Sequence, residues 1–223
     1  KIPVSGLSIT GITGNSSSAE SDYVLDATRK DVTAAITPKT VSLTATKTYD
    51  GTTNLTGTQV TIGDLVGSET LNHTGATASD THVATANKFI TAITLTDATD
   101  ASGGVASNYS LPTLNVANAP VIINAATLTP TLSNTGVTKV YNGNTDIPLG
   151  FVPTYTFVGL VSGDTDAVIA NTGSAYNDKD VLDANKITVS GLSISSITST
   201  VGSAASDYVL DATSKDVAAT ITP

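Results

Sequence analysis

Apolar and polar residues alternate with a period of two along most of this chain. The segment Val41-Ser-Leu43-Thr-Ala45-Thr is typical. Such a pattern buries one face of a β-strand and exposes the other. Turns rich in Gly, Asn and Asp separate these segments roughly every ten residues, which is typical of antiparallel sandwiches and barrels. The same alternation recurs at Val60–Ile62, Ile93–Thr96, Leu114–Val116, Tyr155–Phe157, Ile187–Val189 and Leu192–Ile194.

The sequence also repeats itself. Residues 1–38 and 186–223 are related by an offset of 185, and they are identical at 27 of 38 positions without a gap. A second, weaker repeat has an offset that drifts from 92 to 99, which indicates small loop insertions. We therefore divide the chain into the C-terminal part of a preceding repeat, residues 1–38, and two full repeats, residues 39–126 (the middle repeat) and 127–223 (the last repeat).

Each full repeat has about 90 residues, close to the ~100 residues of an immunoglobulin-like sandwich. We therefore expect an all-β protein of tandem immunoglobulin-like antiparallel β-sandwich modules. The junctions are short and contain no Gly/Ser tether, which favours a semi-rigid row of repeats. Residues 1–38 lack the front part of their repeat, so we expect them to expose strand edges and apolar faces unless another repeat or another copy completes them.

Composition narrows the classes of function. The chain contains 40 Thr and 23 Ser but only 2 Glu, and it has no Cys, Met or Trp. A Thr-rich chain favours strands, and the absence of Cys excludes a disulfide or zinc–cysteine scaffold. The net charge is −9 and no window is basic, so we predict no nucleic-acid partner. No apolar run approaches the roughly 20 residues that span a bilayer, so we predict no membrane insertion.

Tyrosine residues next to tight turns are the main candidates for structural roles. Asp-Gly and Asn-Gly dipeptides favour tight turns because Gly adopts positive φ freely and Asp or Asn tolerates it. We expect the preceding Tyr rings to be buried core anchors, with stacking on a sugar as the alternative. The later pair of tyrosines precedes short strands and is expected to act like a tyrosine corner. The predicted structural residues are Lys47, Tyr49, Asp50 and Gly51, their counterparts Lys139, Tyr141, Asn142 and Gly143, and the later pair Tyr109 and Tyr208.

The segment Tyr49-Asp-Gly-Thr-Thr, preceded by Lys47, resembles the signature of YDG repeats. Such repeats occur in tandem in very large bacterial surface and secreted proteins, including filamentous-haemagglutinin-like adhesins. Ser-Asn-Tyr at 107–109, Ser-Asp-Tyr at 206–208 and the closing Ile-Thr-Pro at 36–38 fit the same repeat. The last repeat departs from it at Asn142 and Asn144.

This resemblance implies a structural stalk or spacer module of an extracellular protein at the bacterial surface. Its partners would be neighbouring repeats or other copies of the chain arranged head to tail. An adhesive module that binds calcium or surface glycans is the alternative, with residues 64–86 and 161–183 as candidate loops.

Catalytic groups are scarce. His73 and His82 are the only His residues, and no nucleophile elbow is present. We therefore predict no enzyme activity and no organic cofactor, and we expect both His side chains to be solvated loop residues.

Calcium is the one candidate metal, because Asp-rich loops offer the hard oxygen ligands that it requires. The competing interpretation is that Asp serves only as a turn residue and a solvated charge. The candidate ligands are Asp164, Asp166, Asp178, Asp180 and Asp183.

A covalent cross-link is a further hypothesis. Surface modules of this kind can join a Lys to an Asn or Asp across the core. Lys47 with Asn108, and Lys139 with Asp207, occupy matching places in the two full repeats.

Overall fold

The structure is a computed structural model that describes residues 1–13 and 17–223. These residues form nineteen strands and four short 3-10 helices, and they contain no α-helix. The chain divides into two compact units, Lys1–Lys39 and Thr40–Pro223. The all-β class and the tandem arrangement predicted from the sequence are confirmed.

The first unit is a single hairpin. Strand β1 (Ile2–Ser5) pairs antiparallel with β2 (Arg29–Val32), and a 3-10 helix covers Glu20–Asp22 in the connection between them.

The middle repeat is built around one long strand that alternates exposed and buried residues at every position. This strand, β4, buries Leu43, Ala45 and Lys47 on its inner face. It pairs antiparallel with β6 (Val60–Gly63) and parallel with β10 (Val121–Asn124), while β5 (Asn54–Leu55), β7 (Asn72–Ala78) and β8 (Ile90–Thr96) form a second antiparallel sheet. The elements are β3 (Lys39–Thr40), β4 (Ser42–Thr48), β5 (Asn54–Leu55), β6 (Val60–Gly63), β7 (Asn72–Ala78), β8 (Ile90–Thr96), β9 (Tyr109–Ser110) and β10 (Val121–Asn124), with 3-10 helices at Gly57–Gln59 and Ala106–Asn108.

The last repeat follows the same plan, but its opening strand is interrupted. Residues 133–136 split the opening strand, so that β11 (Ala126–Leu132) pairs with β13 (Tyr155–Val158) and β12 (Val137–Val140) pairs with β19 (Ser214–Thr222). The elements are β11 (Ala126–Leu132), β12 (Val137–Val140), β13 (Tyr155–Val158), β14 (Asp164–Ala170), β15 (Gly173–Tyr176), β16 (Lys186–Ser190), β17 (Ser193–Ser199), β18 (Tyr208–Leu210) and β19 (Ser214–Thr222), with a 3-10 helix at Ala205–Asp207.

Each full repeat is closed by a parallel ladder between its opening and closing strands. Val121 of β10 lies opposite Ala45 of β4, and Ala219 of β19 lies opposite Val137 of β12. The alternating pattern in the sequence reveals which face of a strand is buried but not which strand lies beside it, so these parallel pairs were not foreseen. Because the first and last strands run in the same direction, the chain enters each repeat at one end and leaves it at the other.

The apolar core is continuous between the two full repeats. One cluster of buried side chains contains Leu43, Ile90 and Val121 of the middle repeat together with Leu128 and Tyr208 of the last. A second cluster lies within the last repeat. The repeats of this unit therefore share buried surface and are not joined by the connecting backbone alone.

The first unit has the same local fold as its copy at the end of the chain. Ile2 lies opposite Val32, and Ile187 lies opposite Val217, which is the same register shifted by the offset of 185. Ile187 is fully buried, whereas Ile2 is 58% exposed.

Candidate functional site

The Tyr49 turn, residues 47–53, is held from inside by a buried lysine. The side chain of Lys47 is fully buried, and its ammonium donates hydrogen bonds to Asp50 Oδ1 at 2.6 Å, to the Thr52 carbonyl at 3.0 Å and to the Asn54 carbonyl at 2.8 Å. Burial alone would raise the pKa of Asp50, but the hydrogen bonds from Lys47 and Thr52 hold it below its usual value. Gly51 has a φ of +78°, which an L-residue adopts only with strain.

The Tyr141 turn, residues 139–145, has the same construction. The Lys139 ammonium donates to Asn142 Oδ1 at 2.9 Å and to the Asn144 carbonyl at 2.7 Å, and Gly143 has a φ of +80°. Both turns are also fixed by the closing strand of their own repeat. The Tyr49 and Tyr141 amides each donate to a closing-strand carbonyl at 2.8 Å.

These contacts give the two lysines a role other than the hypothesised cross-link. Lys47 binds acceptors of its own turn and not Asn108, and Lys139 binds its own turn and not Asp207. The cross-link pairs proposed from the sequence are therefore wrong in this structure. The observed role of each lysine is to satisfy carbonyl and side-chain oxygens at the centre of a tight turn.

The two turns differ sharply in burial. The sequence predicted that both tyrosine rings are buried, but Tyr49 is 2% exposed and Tyr141 is 47% exposed. The prediction is wrong for Tyr141, whereas the Tyr49 ring is in contact with Ser203 and Tyr208 of the neighbouring repeat.

The cover of the Tyr49 turn comes from the last repeat. The Tyr49 hydroxyl lies 2.7 Å from Ser203 Oγ, and the Tyr49 ring meets the Tyr208 ring edge to face with centroids 5.8 Å apart. A Cβ atom added to Gly51 would lie 3.5 Å from the Val201 side chain and 3.6 Å from the Val161 side chain. The backbone of the turn therefore packs directly against the last repeat.

A chain of hydrogen bonds continues from Tyr49 into the last repeat. Ser203 Oγ donates to Asp164 Oδ1 at 2.9 Å, so the Tyr49 hydroxyl is the donor toward Ser203. The Tyr208 hydroxyl donates to Asp164 Oδ2 and accepts from the Val161 amide at 2.9 Å. Burial and the bond to Asp164 raise the pKa of Tyr208, so this phenol remains a protonated donor. Asp164 is thus engaged with two hydroxyls.

A second polar contact joins the two repeats at Asp207. This carboxylate is fully buried and accepts hydrogen bonds from His82 Nδ1, the Val83 amide and the Ala204 amide, each at 2.8 Å. Burial would raise the pKa of Asp207, but these hydrogen bonds outweigh it and hold the pKa below its usual value. The His82 ring also stacks beside Tyr49 with centroids 6.3 Å apart. His82 is therefore an interface residue, and the expectation that it is simply solvated was wrong.

The tyrosines of the later pair have equivalent contacts in both repeats. The Tyr109 hydroxyl donates to Glu69 and accepts from the Val66 amide at 2.9 Å, as Tyr208 does with Asp164 and Val161. Each tyrosine thereby ties the start of a short strand to a distant loop. We name two surfaces from these contacts. The Tyr208 face is Val161, Asp164, Ser203, Asp207 and Tyr208, and the Tyr109 face is Val66, Glu69, Gly104, Asn108 and Tyr109.

The calcium ligands predicted from the sequence are only partly brought together. Carboxylate oxygens of Asp178, Asp180 and Asp183 lie within 4.8 Å of one another. Lys179 pairs with Asp180 at 2.8 Å and reduces the negative charge of this cluster. Asp164 lies in the inter-repeat interface instead, and Asp166 accepts a hydrogen bond from the Ala167 amide at 2.8 Å. The five residues therefore do not form one site.

An open groove on the middle repeat is lined by residues from 57–62 and by part of the segment 64–86, which was predicted as a binding loop but contains strand β7. It has a volume of about 760 Å³ and is lined in part by Leu65, Glu69, Asn72 and His73. His73 Nε2 donates to the Gly57 carbonyl at 3.1 Å, so His73 closes one wall of the groove.

Comparison with known proteins assigns the family. A family model described as "YDG domain" matches residues 28–116 and 124–215. The chain belongs to the YDG domain family. No curated protein and no solved structure matches the YDG chain. Within the described residues, none of the helices is long and apolar enough to cross a membrane.

Sequence reasoning missed several residues of the inter-repeat interface of these YDG domains. His82 and Asp207 are 125 positions apart, and Tyr49 and Ser203 are 154 apart, so no local pattern connects them. One signal was present in the sequence. Ser203, Asp207 and Tyr208 are identical in the copy at residues 1–38, at positions 18, 22 and 23.

Proposed function

We propose that this YDG chain is a non-catalytic structural repeat of a large bacterial extracellular adhesin, fibre or sheath protein. In this role it acts as a stalk or spacer that holds other parts of the protein at a distance. The observation that carries the proposal is the interface in which the Tyr49 turn is buried against the Tyr208 face. A flexible string of domains needs no such interface, whereas a stalk does.

The interface is suited to this role because it combines apolar burial with directional contacts. Burial of the Tyr49 ring excludes water, and the bonds to Ser203 and Asp207 fix the orientation of one repeat on the other. Hydrogen bonds to a buried carboxylate are stronger than those between neutral groups, and leaving the carboxylate unpaired is costly. Two repeats joined in this way resist both bending and twisting at their junction.

The composition and the family resemblance support an extracellular location. The chain has no cysteine and therefore folds without oxidation, and it has no methionine, which removes a common target of oxidative damage. Tandem repetition of one fold is how long extracellular proteins gain length without new chemistry.

The test is to lengthen the chain and measure how its dimensions grow. Residues 39–223 are appended once or twice after Pro223, since Pro223 matches Pro38 and the new junction reproduces Pro38–Lys39. We expect the maximum dimension from small-angle X-ray scattering to increase by the same increment with each added copy. Growth with the square root of copy number, as in a flexible chain, would contradict the stalk role.

A matched control uses the same lengthened chains with Tyr49→Ala in every copy. Loss of this ring removes the centre of the interface while leaving the linker unchanged. We expect the increment per copy to shrink and the scattering to show flexibility. An unchanged increment would show that the linker, and not the interface, sets the spacing.

A calcium- or glycan-binding adhesive module is the second candidate function. The cluster of Asp178, Asp180 and Asp183 and the open groove beside Glu69 and His73 support it. A glycan array probed with calcium and with a chelator separates the two candidates. Saturable binding to one glycan would favour the adhesive module, and a negative array would favour the stalk.

A further inference from the structure

Thr40–Pro223 contains one completed inter-repeat interface and the two halves of another. The Tyr49 turn and the Tyr208 face are in contact with each other, as described above. The Tyr141 turn has the same construction as the Tyr49 turn, but its tyrosine is 47% exposed. The Tyr109 face has the same tyrosine–carboxylate–amide arrangement as the Tyr208 face. Its Val66 side chain, however, is 56% exposed, and the adjacent Val105 side chain is 41% exposed.

The first complementary difference between these halves concerns the buried polar contact. In the completed interface, His82 donates to Asp207. The last repeat has Asp180 at the position that corresponds to His82, and the middle repeat has Asn108 at the position that corresponds to Asp207. An Asn side chain donates to a carboxylate, whereas a second Asp would repel it. Donor and acceptor have therefore exchanged sides, and the pair still matches.

The second complementary difference concerns the tyrosine hydroxyl. In the completed interface, Ser203 bridges the Tyr49 hydroxyl to Asp164. The Tyr109 face has Gly104 at the position of Ser203 and Glu69 at the position of Asp164. The Tyr109 face thus lacks the bridging hydroxyl, and the side chain that carries its carboxylate is longer by one methylene. The longer side chain brings an acceptor closer to an incoming tyrosine hydroxyl.

From these two matched differences we propose that the Tyr141 turn of one copy of this chain docks on the Tyr109 face of a second copy. The docked pair has Asp180 against Asn108 and Tyr141 against Glu69. The partner is a second copy because each half of the interface is present on every chain, and the two halves complement each other.

The contact is heterologous, since the turn and the face lie on different repeats. Each bound copy therefore presents a fresh turn for the next one, and the assembly grows head to tail without closing. The proposal rests on the structural role given above and identifies the surfaces through which that role extends beyond one chain. Association between separate chains is expected to be weaker than within one chain, because the covalent link raises the effective concentration there.

Sedimentation equilibrium of the full chain over a wide concentration range tests the proposal. We expect the average mass to rise steadily above the monomer mass of 22.4 kDa, without a plateau at the dimer. Tyr141→Ala should lower the association constant by roughly tenfold or more, as truncation of a central interface tyrosine commonly does. A mass that stays at the monomer value, or a plateau at the dimer, would overturn the proposal.

Substitutions in the polar pair Asp180 and Asn108 test whether these two surfaces are the ones in contact. Asn108→Asp places two carboxylates together and should weaken association by about tenfold, since like charges at an interface are costly. Asp180→His combined with Asn108→Asp recreates the His–Asp pair of the completed interface, and association should recover. Asn171→Asp adds the same charge elsewhere and should have little effect. Failure of the double variant to recover would refute the assignment of these surfaces.

These outcomes are measured separately from the test of the stalk role. Lengthened single chains report on the covalent row of repeats, and sedimentation reports on contacts between chains. Regular growth of the lengthened chains together with a strictly monomeric native chain would leave the stalk role in place and reject this interface.

Discussion

Truncation of the two equivalent tyrosines should have very different effects on stability, although the two turns that carry them are built alike. Tyr49 is 2% exposed and packs against Tyr208, so Tyr49→Ala removes a buried aromatic ring and the hydroxyl bond to Ser203. Truncation of a buried aromatic residue costs about 3–5 kcal/mol of unfolding free energy. Tyr141 is 47% exposed, so roughly half of its surface is already in water, and we expect Tyr141→Ala to cost about 1 kcal/mol.

The assay is urea unfolding followed by far-ultraviolet circular dichroism at low protein concentration, where chains do not associate. The difference between the two variants, about 3 kcal/mol, is the quantity of interest, because both remove the same side chain from the same kind of turn. Tyr49→Phe provides a finer comparison. This variant removes only the hydrogen bond to Ser203 and should lower the free energy of unfolding by about 1 kcal/mol, because Ser203 keeps its bond to Asp164. Equal losses for Tyr49→Ala and Tyr141→Ala would refute the argument that the neighbouring repeat buries Tyr49.

Three further predictions follow from the same contacts. Asp207→Ala leaves His82 and two amides without an acceptor and should lower the free energy of unfolding in urea by about 3 kcal/mol. Asp22→Ala, at the equivalent exposed cap, should lower it by less than about 1 kcal/mol, and similar losses for the two variants would contradict the role of the inter-repeat bonds. Lys47→Met removes four hydrogen bonds inside the turn and takes away the cation that pairs with the Asp50 carboxylate, so it should cost about 2–3 kcal/mol, more than Lys139→Met, and a thermal scan that ranks them the other way would be inconsistent with this. Because the pKa of Asp207 is lowered in the folded state, its carboxylate stabilises the fold above the unfolded pKa of about 3.9, and this contribution is lost as the pH falls through the folded-state pKa. The free energy of unfolding should therefore decline less steeply below about pH 4 in Asp207→Asn than in the native chain.

The sequence was sufficient to predict most of the local structure of each repeat, but the strand predicted at Leu114–Val116 is wrong: the Asn115 side chain accepts from the Ala117 and Asn118 amides and holds a turn there. Alternation in Val41-Ser-Leu43-Thr-Ala45 identified the buried face of β4, and Asp-Gly and Asn-Gly identified both turns. The near-identity of residues 1–38 and 186–223 predicted that they share a fold, and their hairpins have the same register. These features depend on interactions between residues that are close in sequence, or on direct comparison of two copies.

The inter-repeat interface was not predictable in the same way. Burial of Tyr49 and exposure of Tyr141 depend on whether another repeat covers the turn, and identical local motifs give no information about this. Asp164 was assigned to calcium because Asp is a common ligand, but in the fold it accepts from Tyr208 and Ser203. His82 lacked a partner in the sequence because Asp207 lies in another repeat. Such contacts depend on tertiary packing, which cannot be deduced from the hydrophobic period of the strands or from the amino-acid composition.

Nitrogen-15 relaxation of backbone amides in the full chain tests most directly whether the two full repeats behave as one rigid body. We expect the same rotational correlation time for residues 40–126 and 127–223, and separate, shorter times when Tyr49→Ala disrupts their interface. Separate, shorter times in the native chain would contradict the claim that the buried Tyr49 turn locks one repeat to the next.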